Sequence, residues 1–117
     1  MNSQGIIESL NLCIVALDKG STELKTLGLR RAKAEKAYRI KQAVEILKLK
    51  SEKYPATLIM ELVKGNEEVA ELRLQRDIAE SAYYSCKNGL ENLRMEIEVL
   101  RSKLIWIRTE LNNWKVN

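Results

Sequence analysis

The chain reads as an all-α protein: an elongated antiparallel helical hairpin or coiled coil with a short connecting helix and an N-terminal helix. Three observations predict this. From Val69 to Trp114, apolar residues recur at alternating steps of three and four. That spacing marks one long helix with a narrow apolar seam that must meet another helix. Tyr54-Pro55 interrupts the pattern upstream, where proline stops one helix and is tolerated in the first turn of the next. Finally, 31% of residues are charged, only 5% are aromatic and none is Phe. Long thin helices fit that composition better than a thick globular core.

The elements follow in order. Ile7, Leu10, Ile14 and Leu17 share one helical face, which gives a helix over about 3–18 with Ser3 as its N-cap. Gly20 is placed to end it, with Ser21 or Thr22 capping the next helix. The same seam runs on through Ser21 to Leu24, however, so a single bent helix is the alternative. The second helix covers about 22–53, and its inward residues are expected to be Ala37, Ile40, Val44 and Leu47. A short helix over 56–64 turns Leu58, Ile59, Leu62 and Val63 inward. Gly65 fits a left-handed C-terminal position, and Asn66 caps the last helix, about 67–115. Glu67 and Glu68 suit the positive end of that helix. The whole forms a single helical domain, residues 1–117.

The last helix carries the most information. Its a positions run from Val69 through Arg76, Tyr83, Leu90, Ile97 and Leu104 to Leu111. Its d positions run from Leu72 through Ala79, Cys86, Leu93, Leu100 and Ile107 to Trp114. Only Arg76 breaks the apolar rule; it is expected to fix register, reach water or pair with Glu80 one turn on, and Arg73 and Asp77 make a similar pair. Nearly every e position is basic, from Arg73 to Lys115. Glu68, Glu96 and Glu110 at g would meet Arg73, Arg101 and Lys115 of a second copy in a parallel homodimer, which the sequence permits but does not demand. A second apolar line lies off the seam: Met95, Val99 and Trp106 with Ile105 beside them, continued by Leu74 and Ile78. The N-terminal helix is expected to cover it; the alternative is an exposed binding stripe.

Net charge is +4, and it is unevenly spread: residues 1–24 carry −2, residues 25–53 carry +7 and residues 54–117 carry −1. The basic segment hints at an anionic partner, either nucleic acid or an acidic protein surface. Its candidate contacts are Arg30, Arg31, Lys33, Lys36, Arg39 and Lys41. Only Tyr38 and Tyr54 offer bases a stacking surface, and no known nucleic-acid-binding motif is present.

The chain has no His, which removes the commonest general base and metal ligand. No Gly-rich phosphate loop exists, and Ser and Cys have no His to activate them. The expectation is therefore no catalytic residue, no cofactor, no metal and no small-molecule substrate. Cys13 and Cys86 sit in helical patterns as small hydrophobes, not as a disulfide framework. The N-terminal stretch is too interrupted by polar residues for a signal peptide or membrane span, which implies a cytoplasmic protein.

AEKAYR (Ala34–Arg39), YPATLIMELVKGNEEVAEL (Tyr54–Leu72) and RDIAESAYY (Arg76–Tyr84) resemble a group of small helical proteins encoded by phages and prophages of Gram-positive bacteria. The likeness spans roughly residues 34–98. It implies a phage-type origin, the cytosol of a bacterial host, and a role in replication, recombination or countering host defence. Together these readings point to a non-enzymatic interaction protein, an inhibitor or adaptor. Its contacts with a protein partner would be Met95, Val99, Ile105 and Trp106. Direct DNA or RNA binding by the basic helix and a purely structural coiled-coil oligomer are the alternatives.

Overall fold

The computed structural model describes residues 2–116, with side chains described through Trp114. It is all-α, with three helices: α1 (Ser3–Ser51), α2 (Ala56–Gly65) and α3 (Glu67–Val116). The long helices α1 and α3 pack antiparallel and α2 connects them. No strand occurs among the described residues. Contacts group into two compact units. One holds the chain up to Leu24 together with Ser85 onward, and the other is Lys25–Tyr84.

The break expected at Gly20 is absent, and α1 is one helix from Ser3 to Ser51. A mid-helix glycine costs about 1 kcal/mol relative to alanine, too little to end a helix whose apolar face continues. Continuity has a large consequence, because an unbroken helix presents a single phase to its partner. The inward line is Ile6, Leu10, Cys13, Leu17, Gly20, Leu24 and Leu27, then Arg31, Ala34 and Tyr38. Ile7 and Ile14, expected inside, are exposed one position off this line. Ala37, Ile40, Val44 and Leu47 are also exposed, the last three at 54%, 50% and 65%. They were compatible with the core only if the chain turned between two helices of independent phase.

In the first unit, Ile6, Cys13 and Leu100 form a buried cluster, with Leu10, Leu93, Ile97, Leu104 and Ile107 packed against it. Gly20 permits close approach here: a Cβ at this position would lie 2.5 Å from Leu90 Cδ2. The Cys86 thiol donates to the Gly20 carbonyl at 3.7 Å. Burial, together with the neighbouring Glu96 carboxylate, raises the Cys13 thiol above its ordinary value. Both cysteines are free.

In the second unit, Tyr38, Ile59, Val63 and Val69 form the buried cluster, flanked by Ile46, Leu49 and Leu72. From α2, Ile59 and Val63 enter the core one turn apart, while Leu58 and Leu62 stay largely exposed. Val69 N–H donates to the Asn66 side-chain oxygen at 3.0 Å, so Asn66 caps α3 as its sequence position predicts. Lys41 reaches Glu45 at 3.1 Å and Glu68 at 2.7 Å.

Three helix ends differ from the sequence expectation. Asn2, not Ser3, caps α1, its side-chain oxygen accepting from Gly5 N–H at 2.8 Å. No glycine has positive φ, so Gly65 is an ordinary last residue of α2. The left-handed position belongs instead to Lys53, with φ 65. There, Lys53 N–H donates to Lys50 O at 3.0 Å and Tyr54 N–H to Leu49 O at 3.2 Å. These two bonds are the Schellman closure of a helix end, with lysine where glycine is normally found.

Two tests follow. Lys53→Gly relieves a left-handed cost of roughly 1–2 kcal/mol against an entropic loss of roughly 0.5–1. It should therefore raise unfolding stability in urea by about 0.5–1 kcal/mol, and a loss of stability would contradict this helix end. The Lys41–Glu68 hydrogen bond holds the Glu68 carboxyl below its ordinary value and Lys41 above its own, Glu45 adding to the latter. Its contribution is full above the unfolded carboxylate value and below the unfolded lysine value. It fades as pH falls through the Glu68 folded value or rises through that of Lys41. Glu68→Gln should thus lower the melting temperature at neutral pH and converge with the parent in acid; a pH-independent gap would refute the pairing.

Candidate functional site

The seam of α3 is spoken for. Leu90 and Leu100 are buried, and Leu93, Ile97, Leu104 and Ile107 are half-buried against α1. The N-terminal part of α1 therefore covers the seam and not the second apolar line. Beyond it, Leu111 and Trp114 remain exposed, at 56% and 86%. A parallel dimer through the same a and d positions would have to displace α1. Lys115, expected to serve such a dimer, lies outside the described side chains.

The four residues expected to contact a partner are all open to solvent: Met95 at 66%, Val99 at 54%, Ile105 at 61% and Trp106 at 63%. Within this unit, the outward positions of α3 at three-four spacing are Ser85, Asn88, Asn92, Met95, Val99, Ser102, Trp106, Thr109 and Asn113. None carries a charge, in a chain that is 31% charged. The charges sit to either side and are of both signs, as Lys87, Glu91, Arg94, Glu98 and Arg101 on one flank and Glu96, Lys103 and Glu110 on the other. A helix face with nothing to gain from helix-helix burial is normally rich in Lys and Glu. This one has the composition of a second, more polar seam. The apolar members were legible in the sequence; the polar members joining them became visible only once the seam assignment was settled.

The six basic candidates do not form one patch. Arg31 turns inward at the seam, its guanidinium 5.0 Å from the Tyr83 ring centre and 4.9 Å from that of Tyr84. It also bonds Glu80 Oε1 at 3.4 Å and the Tyr84 hydroxyl at 3.3 Å. Arg39 is held by Glu35 at 2.7 Å, and Lys41 by Glu45 and Glu68. Arg30, Lys33 and Lys36 are exposed, and no ion pair to them occurs among the described residues. Lys50 joins them on the outer side of α1, with Ala37, Ile40, Val44 and Leu47 among these cations, whereas Lys48 lies near Glu68 and lines a cleft with Glu45 and Glu52.

Arg76 lies over the Tyr38 ring, 4.5 Å from its centre. It pairs with Asp77 at 3.0 Å and Glu35 at 3.7 Å, not with Glu80. Arg73 reaches the Lys64 carbonyl at 3.4 Å instead of Asp77. Hydrogen bonding to Asp77, and then the Asp77 and Glu35 charges, outweigh desolvation and raise Arg76 above its already high value, so it stays cationic. Gly28, Arg31, Glu35, Arg39, Arg76 and Glu80 line an open cleft of roughly 630 Å³. Each of its three guanidinium groups already faces a carboxylate, so the cleft is electrostatically satisfied and works as a polar layer in the hairpin. Among the described residues no three metal-binding side chains cluster, and no helix is long and apolar enough to cross a membrane.

Comparison with protein families, with curated proteins and with solved structures finds no match to this chain.

Arg31→Ala should cost about 1 kcal/mol of unfolding free energy, the scale of a partly exposed cation–π contact with its buried stem. Arg31→Lys should not restore it, because a point charge cannot stack on two rings. Equal stability of parent and Arg31→Ala in denaturant would show that the cluster contributes nothing.

Proposed function

We propose that this chain is a non-enzymatic helical interaction protein that docks a protein partner on the outer face of α3, with Met95, Val99, Ile105 and Trp106 as its apolar anchors. The observation that carries the reading is the charge-free outward line of α3, exposed along its length and flanked by charge. Scattered single apolar residues on a surface need no explanation. A line that excludes charge at helical spacing does, and helix-in-groove recognition uses this pattern of anchors. The resemblance of residues 34–98 to phage-encoded helical proteins points the partner toward an enzyme of nucleic-acid metabolism or host defence in a bacterial cytosol. The chain would act there as inhibitor or adaptor.

A second reading rests on the exposed cations of α1: Arg30, Lys33, Lys36 and Lys50 can meet phosphates. Binding to DNA or RNA that collapses steeply with rising salt would favour it.

A photo-crosslinking amino acid at Val99, set against one at the exposed Glu71, tests the first reading in cells. A discrete protein adduct at position 99 and none at 71 is expected. Identical adduct patterns at the two sites, or nucleic acid as the only adduct, would reject it.

A further inference from the structure

We propose that, in the Lys25–Tyr84 unit, the outer face of α1 rests on an anionic lipid surface. The inference goes beyond the docking face of α3 and does not rest on it. From Lys25 to Ser51, no exposed residue of α1 is acidic. The two carboxylates of that stretch are half-buried: Glu35 meets Arg39 and Arg76, and Glu45 meets Lys41. The connector α2 packs on the side of α1 that carries Tyr38, Ile46 and Leu49, away from the outer face. Glu52 follows the helix end and lines the cleft with Glu45, Lys48 and Leu62. Lys25, Arg30, Lys33, Lys36 and Lys50 are exposed, and none enters an ion pair among the described residues.

The order of residues along this face selects its occupant. At three-four spacing the central line reads Leu29, Lys33, Lys36, Ile40, Val44 and Leu47, all exposed. A helix docked on it would have to take Lys33 and Lys36 into the seam, where a charge needs a partner of its own. The phosphates of a nucleic acid would meet the cations but leave four aliphatic side chains against a charged backbone. No aromatic residue lies on the line to stack on a base. A bilayer surface accepts both kinds of residue. Leucine, isoleucine and valine enter the boundary between headgroups and acyl chains, while the long lysines extend their ammonium groups back to the lipid phosphates. Each cation near an anionic leaflet adds to the attraction. Residues 25–51 span about 40 Å at ~1.5 Å per residue. The contact is peripheral, with the helix axis in the plane of the surface.

Flotation of the full chain with lipid vesicles tests this, using phosphatidylcholine alone and phosphatidylcholine mixed with phosphatidylglycerol. Two variants accompany the parent, Lys33→Gln/Lys36→Gln and Val44→Gln/Leu47→Gln. All four positions are exposed, so circular dichroism should show both variants as helical as the parent. The parent should float with the anionic vesicles and not with the neutral ones, and less so at high salt. The lysine variant should weaken partitioning by about fivefold for each cation removed. The apolar variant should weaken it by about tenfold or more, a loss that adsorption by charge alone would not show.

No flotation at low salt, or equal flotation with neutral and anionic vesicles, would overturn the proposal. An apolar variant that floats like the parent would reduce the face to a charge patch and overturn it too. Retention of duplex DNA or RNA that falls in the lysine variant alone, without vesicle binding, would assign the face to nucleic acid instead. None of these results touches the Val99 adduct, so failure here is distinguishable from failure of the α3 reading.

Discussion

The apolar seam of α3 can be covered only once, and everything else in the structure depends on which line of α1 covers it. In the unit of the chain termini Gly20 meets Leu90, where a methyl on the α1 side would force the Leu90 side chain to shift. Gly20, Cys13 and Ala34 are small residues at inward positions of α1, and they let the backbones come close. In that unit Ile7 and Ile14 are turned outward; in the Lys25–Tyr84 unit, where Tyr38 enters the core, Ile40, Val44 and Leu47 are. The exposed faces are thus a consequence of the seam.

The two units solve the inward line differently. Near the chain termini the seam is aliphatic and closes around Ile6, Cys13 and Leu100. Near α2 it becomes polar, with Arg31, Arg76, Lys41 and Glu45 at or beside inward positions, each satisfied by a carboxylate, a cation or an aromatic face. No buried side-chain nitrogen or oxygen among the described residues lacks a partner. Polar layers of this sort add little net stability, but they are at ease in only one register. They also spend charge: Arg31 and Lys41 are half-buried in the hairpin and Arg39 pairs with Glu35 on the surface of α1, so the +7 of residues 25–53 overstates what the surface offers a partner.

Much of this was readable from the sequence, and the failures share one cause. The seam of α3, the Tyr54-Pro55 stop, the α2 connector and the Asn66 cap all rest on local chemistry, and all stand. The inward face of α1 does not, because it depends on helix continuity across Gly20. Local signals favoured a break there, whereas the partner helix across the seam favours none. Ala37, Ile40, Val44 and Leu47 were put inside on their three-four spacing, and spacing alone does not say which face of a helix is the inward one. Lys53 shows the same limit at smaller scale. Nothing in lysine announces a left-handed residue; the chain adopts it because Tyr54-Pro55 must leave the helix there. For the candidate site, Met95, Val99 and Trp106 were identified as a line, with Ile105 beside it. The first expectation, that the N-terminal helix lies over it, fails because that helix covers the seam; the alternative of an exposed stripe is what the structure has.

The placement of Gly20 against Leu90 is open to one direct measurement, a double-mutant cycle in urea with Gly20→Ala and Leu90→Ala. If α1 sits in this phase, Gly20→Ala is unfavourable in the parent, where its methyl collides with Leu90. It becomes favourable in Leu90→Ala, where the helix-propensity gain of about 1 kcal/mol is realised. The coupling should reach roughly 1–2 kcal/mol. Additive effects within about 0.3 kcal/mol would mean that the two residues do not meet, and the outward face of α3 in that unit would have to be redrawn.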